Sequence, residues 1–220
     1  MATTPEDVKA LLESDDYGQR INAVNQIRNL PLDVAVGLLM QAAEDENARV
    51  RYAAVSQLAS SGGHNKDAVG TLLRHCLLTD TELDVRAAAA DSISALKLVE
   101  LFDDLKQVYC QTTDWVVRMS IVAALGELGD PRGFELLQDA LQSDVELIRA
   151  AAIGAMGELG DRRAIELIRP FAESDDWQVR YRVVQALTAL GGDDVRVTLE
   201  QLSNDEVAQV AEGARAGLAS

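Results

Sequence analysis

Aromatic side chains are scarce in this chain: Phe, Tyr and Trp make up 4% of 220 residues, while apolar residues of every kind make up 48%. A core must therefore be built from Ala, Leu, Val and Ile at close helix contacts. Cysteine is nearly missing too. Cys76 and Cys110 are too few for a disulfide framework and lack the CxxC spacing of a zinc site, which fits a reducing compartment. No stretch approaches the roughly 20 apolar residues needed to span a bilayer. Met1 to Asp7 also lacks a basic region followed by an apolar one, so a soluble, cytoplasmic protein without membrane insertion is expected. Positive charge is in deficit: 20 Lys and Arg stand against 36 Asp and Glu, a net charge of −16 that repels a phosphate backbone and argues against a nucleic-acid partner. Finally, GxSxG, HExxH, P-loop and dinucleotide fingerprints are all missing.

What the chain does have is a period. Arg20, Arg51, Arg86, Arg118, Arg149 and Arg180 recur at spacings of 31, 35, 32, 31 and 31 residues. One further step of 31 lands on Ala211, inside a segment of the same apolar pattern, as expected for a divergent terminal cap. The expected architecture is thus all-α: about seven two-helix repeats of about 31 residues in one solenoid over 1–220. Their approximate spans are 5–30, 32–61, 66–96, 98–128, 130–159, 161–190 and 192–220.

The stretch Asp130 to Gly160 shows the unit. In its first helix Phe134, Leu137 and Leu141 form one apolar stripe, leaving Gln138, Asp139 and Gln142 to water. Asp114, Asp144 and the pair Asp175 and Asp176 precede second helices, where a carboxylate suits the free N–H groups and the positive helix end. Eleven residues after the arginine come Gly62, Gly129, Gly160 and Gly191, suited to the left-handed turn that closes a helix. Pro31 and Lys97 fill that slot elsewhere. The loop GGHNKD carries most of a four-residue insertion, and Pro170 interrupts a first helix. The arginine itself reads as structure, a ladder bonding the capping region of a neighbouring unit.

Counting from the arginine isolates a stripe on the second helices at positions −3, +1 and +5, which share a face through their spacing of four. It collects Tyr17, Trp115 and Trp177 at −3, Tyr52, Met119 and Tyr181 at +1, and Asp91 at +5, with Arg182 adjacent at +2. Both tryptophans and three of the four tyrosines fall there, which solubility alone does not require. These seven residues other than Asp91, namely Tyr17, Tyr52, Trp115, Met119, Trp177, Tyr181 and Arg182, are the candidate binding residues. Trp115 and Trp177, two units apart, would be separated by roughly 20 Å at ordinary helix spacing. The plainer reading is that the aromatics cover gaps between units. Asp91 could serve as an acid or base in such a cleft, or simply be a solvated carboxylate. His64, in the inserted loop, is a second candidate for proton transfer. Cys76 and Cys110 align with Ala140 and Leu141 and read as core; no metal site is expected.

The units WVVRMSIVAALGELGDPRGFELLQDAL and LIRAAAIGAMGELGDRRAIELIRPFA resemble HEAT-like repeats of the phycobilisome lyase type, whose pattern is VRxxAxxALGxLGDxxAxxxL. The resemblance is strongest from Asp114 to Gly191 and implies a right-handed α-α superhelix. It further implies, for a short chain made only of these repeats, a role in phycobilisome degradation. The partner would be a phycobiliprotein such as phycocyanin or allophycocyanin, the ligand its linear tetrapyrrole phycocyanobilin, and the location the phycobilisome at the thylakoid surface. The chemistry implied is a bilin lyase-like action on the chromophore–cysteine thioether, with no cofactor required. An adaptor that grips another protein through its concave face without chemistry is the alternative. A scaffold for iron or an iron–sulfur cluster at Cys76 and Cys110 is a third. HEAT-like deoxyhypusine hydroxylases hold iron through His-Glu pairs, which this chain lacks, and HEAT-like DNA glycosylases are basic, which it is not.

Overall fold

A computed structural model describes residues 4–219. Among them all regular structure is helical, and the helices come in pairs. They are α1 (Pro5–Leu12) with α2 (Tyr17–Ile27), α3 (Leu32–Ala42) with α4 (Ala48–Ser61), α5 (Lys66–Thr79) with α6 (Leu83–Ala95), and α7 (Phe102–Gln111) with α8 (Trp115–Leu128). Then follow α9 (Gly133–Ala140) with α10 (Glu146–Leu159), α11 (Ala164–Ile168) with α12 (Trp177–Leu190), and α13 (Arg196–Leu202) with α14 (Ala208–Ala219). Each arginine of the period lies one turn inside a second helix, as the spacing requires. None of the helices among the described residues is long and apolar enough to cross a membrane.

The chain separates into two compact units, 1–121 and 122–220. In the first, α2 packs on α4 and α4 on α6, each second helix burying Val and Ile or Leu such as Val50, Leu58, Val85 and Ile93. In the second, α10 packs on α12 and α12 on α14 in the same way, around Ile148, Ile153, Val183 and Leu187. First helices add the stripe expected of them: Phe134, Leu137 and Leu141 are buried while Gln138, Asp139 and Gln142 are exposed. A side chain buried as fully as Leu137 contributes about 1.5–3 kcal/mol relative to exposure.

The contact between second helices differs along the chain. Gln57 Nε2 donates to the Val24 carbonyl at 3.0 Å, and Ser92 Oγ, fully buried, to the Val55 carbonyl at 2.8 Å. In the second unit this polar contact is replaced by bare backbone approach. A Cβ added to Gly126 would meet the Ala155 Cα at 2.5 Å, and one added to Gly157 the Ala186 Cα at 2.7 Å. The repeated Ala and Gly of ALGELG and AMGELG are thus the two faces of one joint.

Arg20, Arg51 and Arg180 form rungs between repeats, so the expected ladder holds for part of the series. Arg20 donates through Nε and Nη2 to Asp45 of the next repeat at 2.7 and 3.1 Å, and through Nη1 to the Ser14 and Asp15 carbonyls of its own turn. Arg51 repeats this with Asp80 and the Asp45 and Glu46 carbonyls, and Arg180 with Asp205 and the Ser174 and Asp175 carbonyls. Arg86 instead bonds the Leu77 carbonyl, Arg118 lies over the Tyr109 ring, and Arg149 bonds the Ser143 carbonyl.

Several local expectations need correction. Asp144 does not cap α10: Val145 occupies that place and gives no side-chain bond, because the capping position is four residues before the arginine and Asp144 is five. Asp16, Asn47, Asp114 and Asp176 sit at the right distance and do cap. Gly129, Gly160 and Gly191 take positive φ as expected, but Gly62 does not, since the chain runs on into a 3₁₀ turn over Gly62–Asn65; Lys97 takes positive φ instead, at 54°. Cys110 is exposed rather than core, because α7 runs on to Gln111 and the buried position falls on Tyr109. Pro170 interrupts the helix as its missing N–H demands, leaving the 3₁₀ segment Arg169–Glu173 after α11.

Candidate functional site

In the second unit a cleft of about 450 Å³ lies along α12. Its floor and walls come from three successive second helices. From α12 come Trp177, Tyr181 and Gln185, which are positions −3, +1 and +5, with Arg182 beside them; from α10 come Glu146, Leu147 and Ala150, and from α14 Gln209. These side chains converge because residues four apart share a helix face, and the small Ala150 at +1 of α10 leaves room beside the larger α12 residues. Trp177 opens its helix, where Asp176 caps the chain by accepting from the Gln178 N–H at 2.8 Å. The cap thus fixes the direction in which the indole leaves the backbone, and 36% of Trp177 remains exposed.

Tyr181 is half-buried because α14 supplies Gly213 beneath it: a Cβ there would come within 3.1 Å of the ring. Arg182 is exposed and extends toward α10, its Nη1 lying 3.8 Å from where a Gly154 side chain would begin. The charges around the cleft are the Glu146 and Asp176 carboxylates and the Arg182 guanidinium. An elongated apolar ligand bearing an acidic group meets aromatic surface and one fork of donors here.

In the first unit a groove of about 410 Å³ runs between α4 and α6, lined by Asn47, Ala48, Arg49, Tyr52, Glu82, Asp84 and Val85. Tyr52 is 48% exposed on it. Tyr17 opens α2 and Trp115 opens α8, each 44% exposed, with Met119 half-exposed one turn on from Trp115. Asp91 is exposed on α6 and His64 exposed in the 3₁₀ turn, and neither lines the Tyr52 groove. A further cleft of about 430 Å³ holds Cys76 beside the Arg51–Asp80 pair. Burial pushes the Cys76 thiol up to about 11, so it is a packing residue and no nucleophile at neutral pH. No group of three or more His, Cys, Asp or Glu placed to hold a metal ion occurs among the described residues.

One wall of the α12 cleft lies outside the −3, +1, +5 stripe. It is Leu147, 54% exposed, at −2; Val145 before it, 37% exposed and outside the cleft lining, stands where five other repeats carry an acid or amide. Their signal in the sequence is that mismatch: VEL replaces the polar turn just before a second helix.

Comparison with known proteins places this architecture. Solved structures that match include a chain of the complex of CpcE and CpcF of phycocyanin lyase from Nostoc sp. PCC7120, 23% identical, covering 99% of this chain and 94% of that one with a TM-score of 0.66. Another is YibA of Escherichia coli, 17% identical over 98% of this chain and 81% of that one, TM-score 0.67. A third is an archaeal HEAT-like repeats protein from Thermococcus onnurineus NA1, 13% identical over 98% of each chain, TM-score 0.56. At these identities the likeness is one of fold. No curated protein matches. HEAT repeats are recognised over residues 5–94, 70–157 and 146–219, which together take in nearly the whole sequence. The chain belongs to the HEAT-repeat family.

Proposed function

We propose that this protein binds a phycobiliprotein and its bilin in phycobilisome degradation, holding or detaching the linear tetrapyrrole, in the manner of NblB, whose lyase-type repeats its own resemble. The observation that carries the reading is the α12 cleft, where Trp177, Tyr181 and Arg182 meet. A bilin is a long conjugated chain with two propionates, so the rings match its body and the guanidinium a propionate. The fold shared with a chain of the CpcE–CpcF complex of phycocyanin lyase supports the same class of partner. Within the first unit, Tyr17, Tyr52, Trp115 and Met119 are at least partly exposed and are offered as contacts for the partner protein in their own right.

Detachment would reverse a thiol addition. A base takes a proton from the carbon beside the thioether carbon, the C–S bond breaks as a C=C bond forms, and the sulfur leaves as a thiolate that takes up a proton. Nothing is oxidised or reduced. The sequence offers Asp91 first and His64 second to carry the proton; both belong to the first unit and neither lines the α12 cleft, so no step on a pigment held there is routed through them.

Titrating the protein into free phycocyanobilin and into intact phycocyanin, read by absorbance and fluorescence, tests the proposal. A change in the visible spectrum that Trp177→Ala weakens supports it; no spectral change and no binding would remove it. The adaptor reading is favoured by one observation, the exposed Leu147 beside the cleft, which suits an apolar face of a partner helix. It is selected if a purified, pigment-free partner binds through Trp177 and Leu147 while phycocyanobilin does not.

A further inference from the structure

Six residues before each repeated arginine, and before Ala211 in the last repeat, the turn carries Ser14, Asp45, Asp80, Thr112, Ser143, Ser174 and Asp205. Asp45 does three things there. Its carboxylate receives Arg20 from the preceding repeat, its Oδ1 accepts from the Asn47 N–H at 2.8 Å, and its carbonyl accepts from Nη1 of Arg51 in its own repeat at 2.9 Å. Asp80 and Asp205 likewise combine an arginine from the preceding repeat with the N–H two residues on.

Ser174 does two of the three. Its Oγ accepts from the Asp176 N–H at 3.2 Å, and its carbonyl accepts from Nη1 of Arg180 at 2.8 Å. What it lacks is the bond to the preceding repeat, yet the arginine for it is in place. Arg149 already donates through Nη1 to the Ser143 carbonyl at 2.6 Å, the same bond by which Arg20, Arg51 and Arg180 are anchored to their own turns. Its Nε and Nη2, which hold the carboxylate in those rungs, meet no carboxylate among the described residues.

We infer that Ser174 is a phosphorylation site whose phosphate closes the open rung with Arg149. A partner kinase would supply the phosphate. The Ser174 Oγ loses its proton as it bonds the terminal phosphorus of a nucleoside triphosphate, the bridging P–O bond breaks, and nucleoside diphosphate leaves. The product puts acceptor oxygens where Asp45 and Asp205 have theirs, in the geometry a guanidinium binds two-fold. Ser174 is half-buried in a turn between exposed Glu173 and Asp175, so the segment is within reach of an enzyme. Those flanking acids do not forbid the pair: Asp45 keeps Arg20 between Glu44 and Glu46, and Asp205 keeps Arg180 beside Glu206.

The test installs phosphoserine at 174 in the full chain and measures thermal unfolding, with and without Arg149→Gln. The expected result is a rise in Tm of about 2–4 °C that Arg149→Gln abolishes. Ser174→Asp, which places the sister residue in the turn, should give a smaller rise with the same dependence. An unchanged or lowered Tm for phosphoserine, or a rise that survives Arg149→Gln, overturns the inference. Peptide mass spectrometry on protein purified from its own cells reads occupancy directly: phosphate on Ser174 supports the assignment, and its absence across growth conditions overturns it.

Discussion

Nε of Arg180 and Oδ2 of Asp205 lie 2.6 Å apart although the residues belong to successive repeats, and both side chains are about nine-tenths buried. Removing one partner leaves the other charge covered and unmatched. Asp205→Asn is expected to cost about 1–3 kcal/mol. The loss should be local first, so hydrogen exchange in α13 and α14 is the measurement to make.

The same pair sets a pH dependence. The hydrogen bond from Arg180 holds the Asp205 carboxyl below the usual carboxylate range, and Arg162 does the same for Asp194. A depressed folded pKa gives stability that is fully present above the unfolded value, near 3.9, and is lost as pH falls through the folded value. Urea midpoints should therefore hold steady from neutrality to about pH 5 and decline below about pH 4. Asp205→Asn should flatten part of that decline.

Gly157→Ala asks α10 and α12 to separate, because the new methyl carbon would sit 2.7 Å from the Ala186 Cα. Backbone cannot give way as a side chain does. We expect a loss of about 1–3 kcal/mol, visible as a lower Tm. The same exchange at Gly160, where no atom lies within 4 Å, is strained only through its φ of +74°.

Arg182→Gln removes the one guanidinium of the α12 cleft. If it holds a propionate, phycocyanobilin should bind about tenfold more weakly, a charged hydrogen bond being worth about 1.5–3 kcal/mol. The dimethyl ester of the pigment should be indifferent to the substitution. Equal losses for acid and ester would show that Arg182 does not act through a propionate.

The two cysteines should react differently. Cys110 is exposed, while Cys76 is buried with its thiol pushed up to about 11. Maleimide at mildly alkaline pH should label Cys110 alone in the native protein, and both after unfolding, as counted by intact mass.

Much of this fold can be read from spacing. The paired helices, the rungs of Arg20, Arg51 and Arg180 and the −3, +1 face that forms the α12 cleft are legible in the period, because each depends on residues at fixed intervals along a helix; Arg86 and Arg149 keep the interval but bond within their own repeats. Spacing failed where one residue decides the outcome. Asp144 is a single position too early to cap, and Cys110 a single position past the buried face. Gly62 enters a 3₁₀ turn in place of the left-handed one because of the insertion that follows it. Leu147 lies off the repeated stripe, so the period does not mark it; its place in the lining with Trp177 gives the cleft an aliphatic wall.

Gly126 against Ala155 and Gly157 against Ala186 are the same joint made twice, and α10 takes part in both. It receives with Ala155 and offers with Gly157, so the segment 130–160 carries both a socket and a plug. Such a segment is its own compatible neighbour. Tandem copies inserted at its boundary would meet old and new partners through identical surfaces, which makes the number of repeats in this part of the molecule a quantity that duplication can change without redesigning any contact.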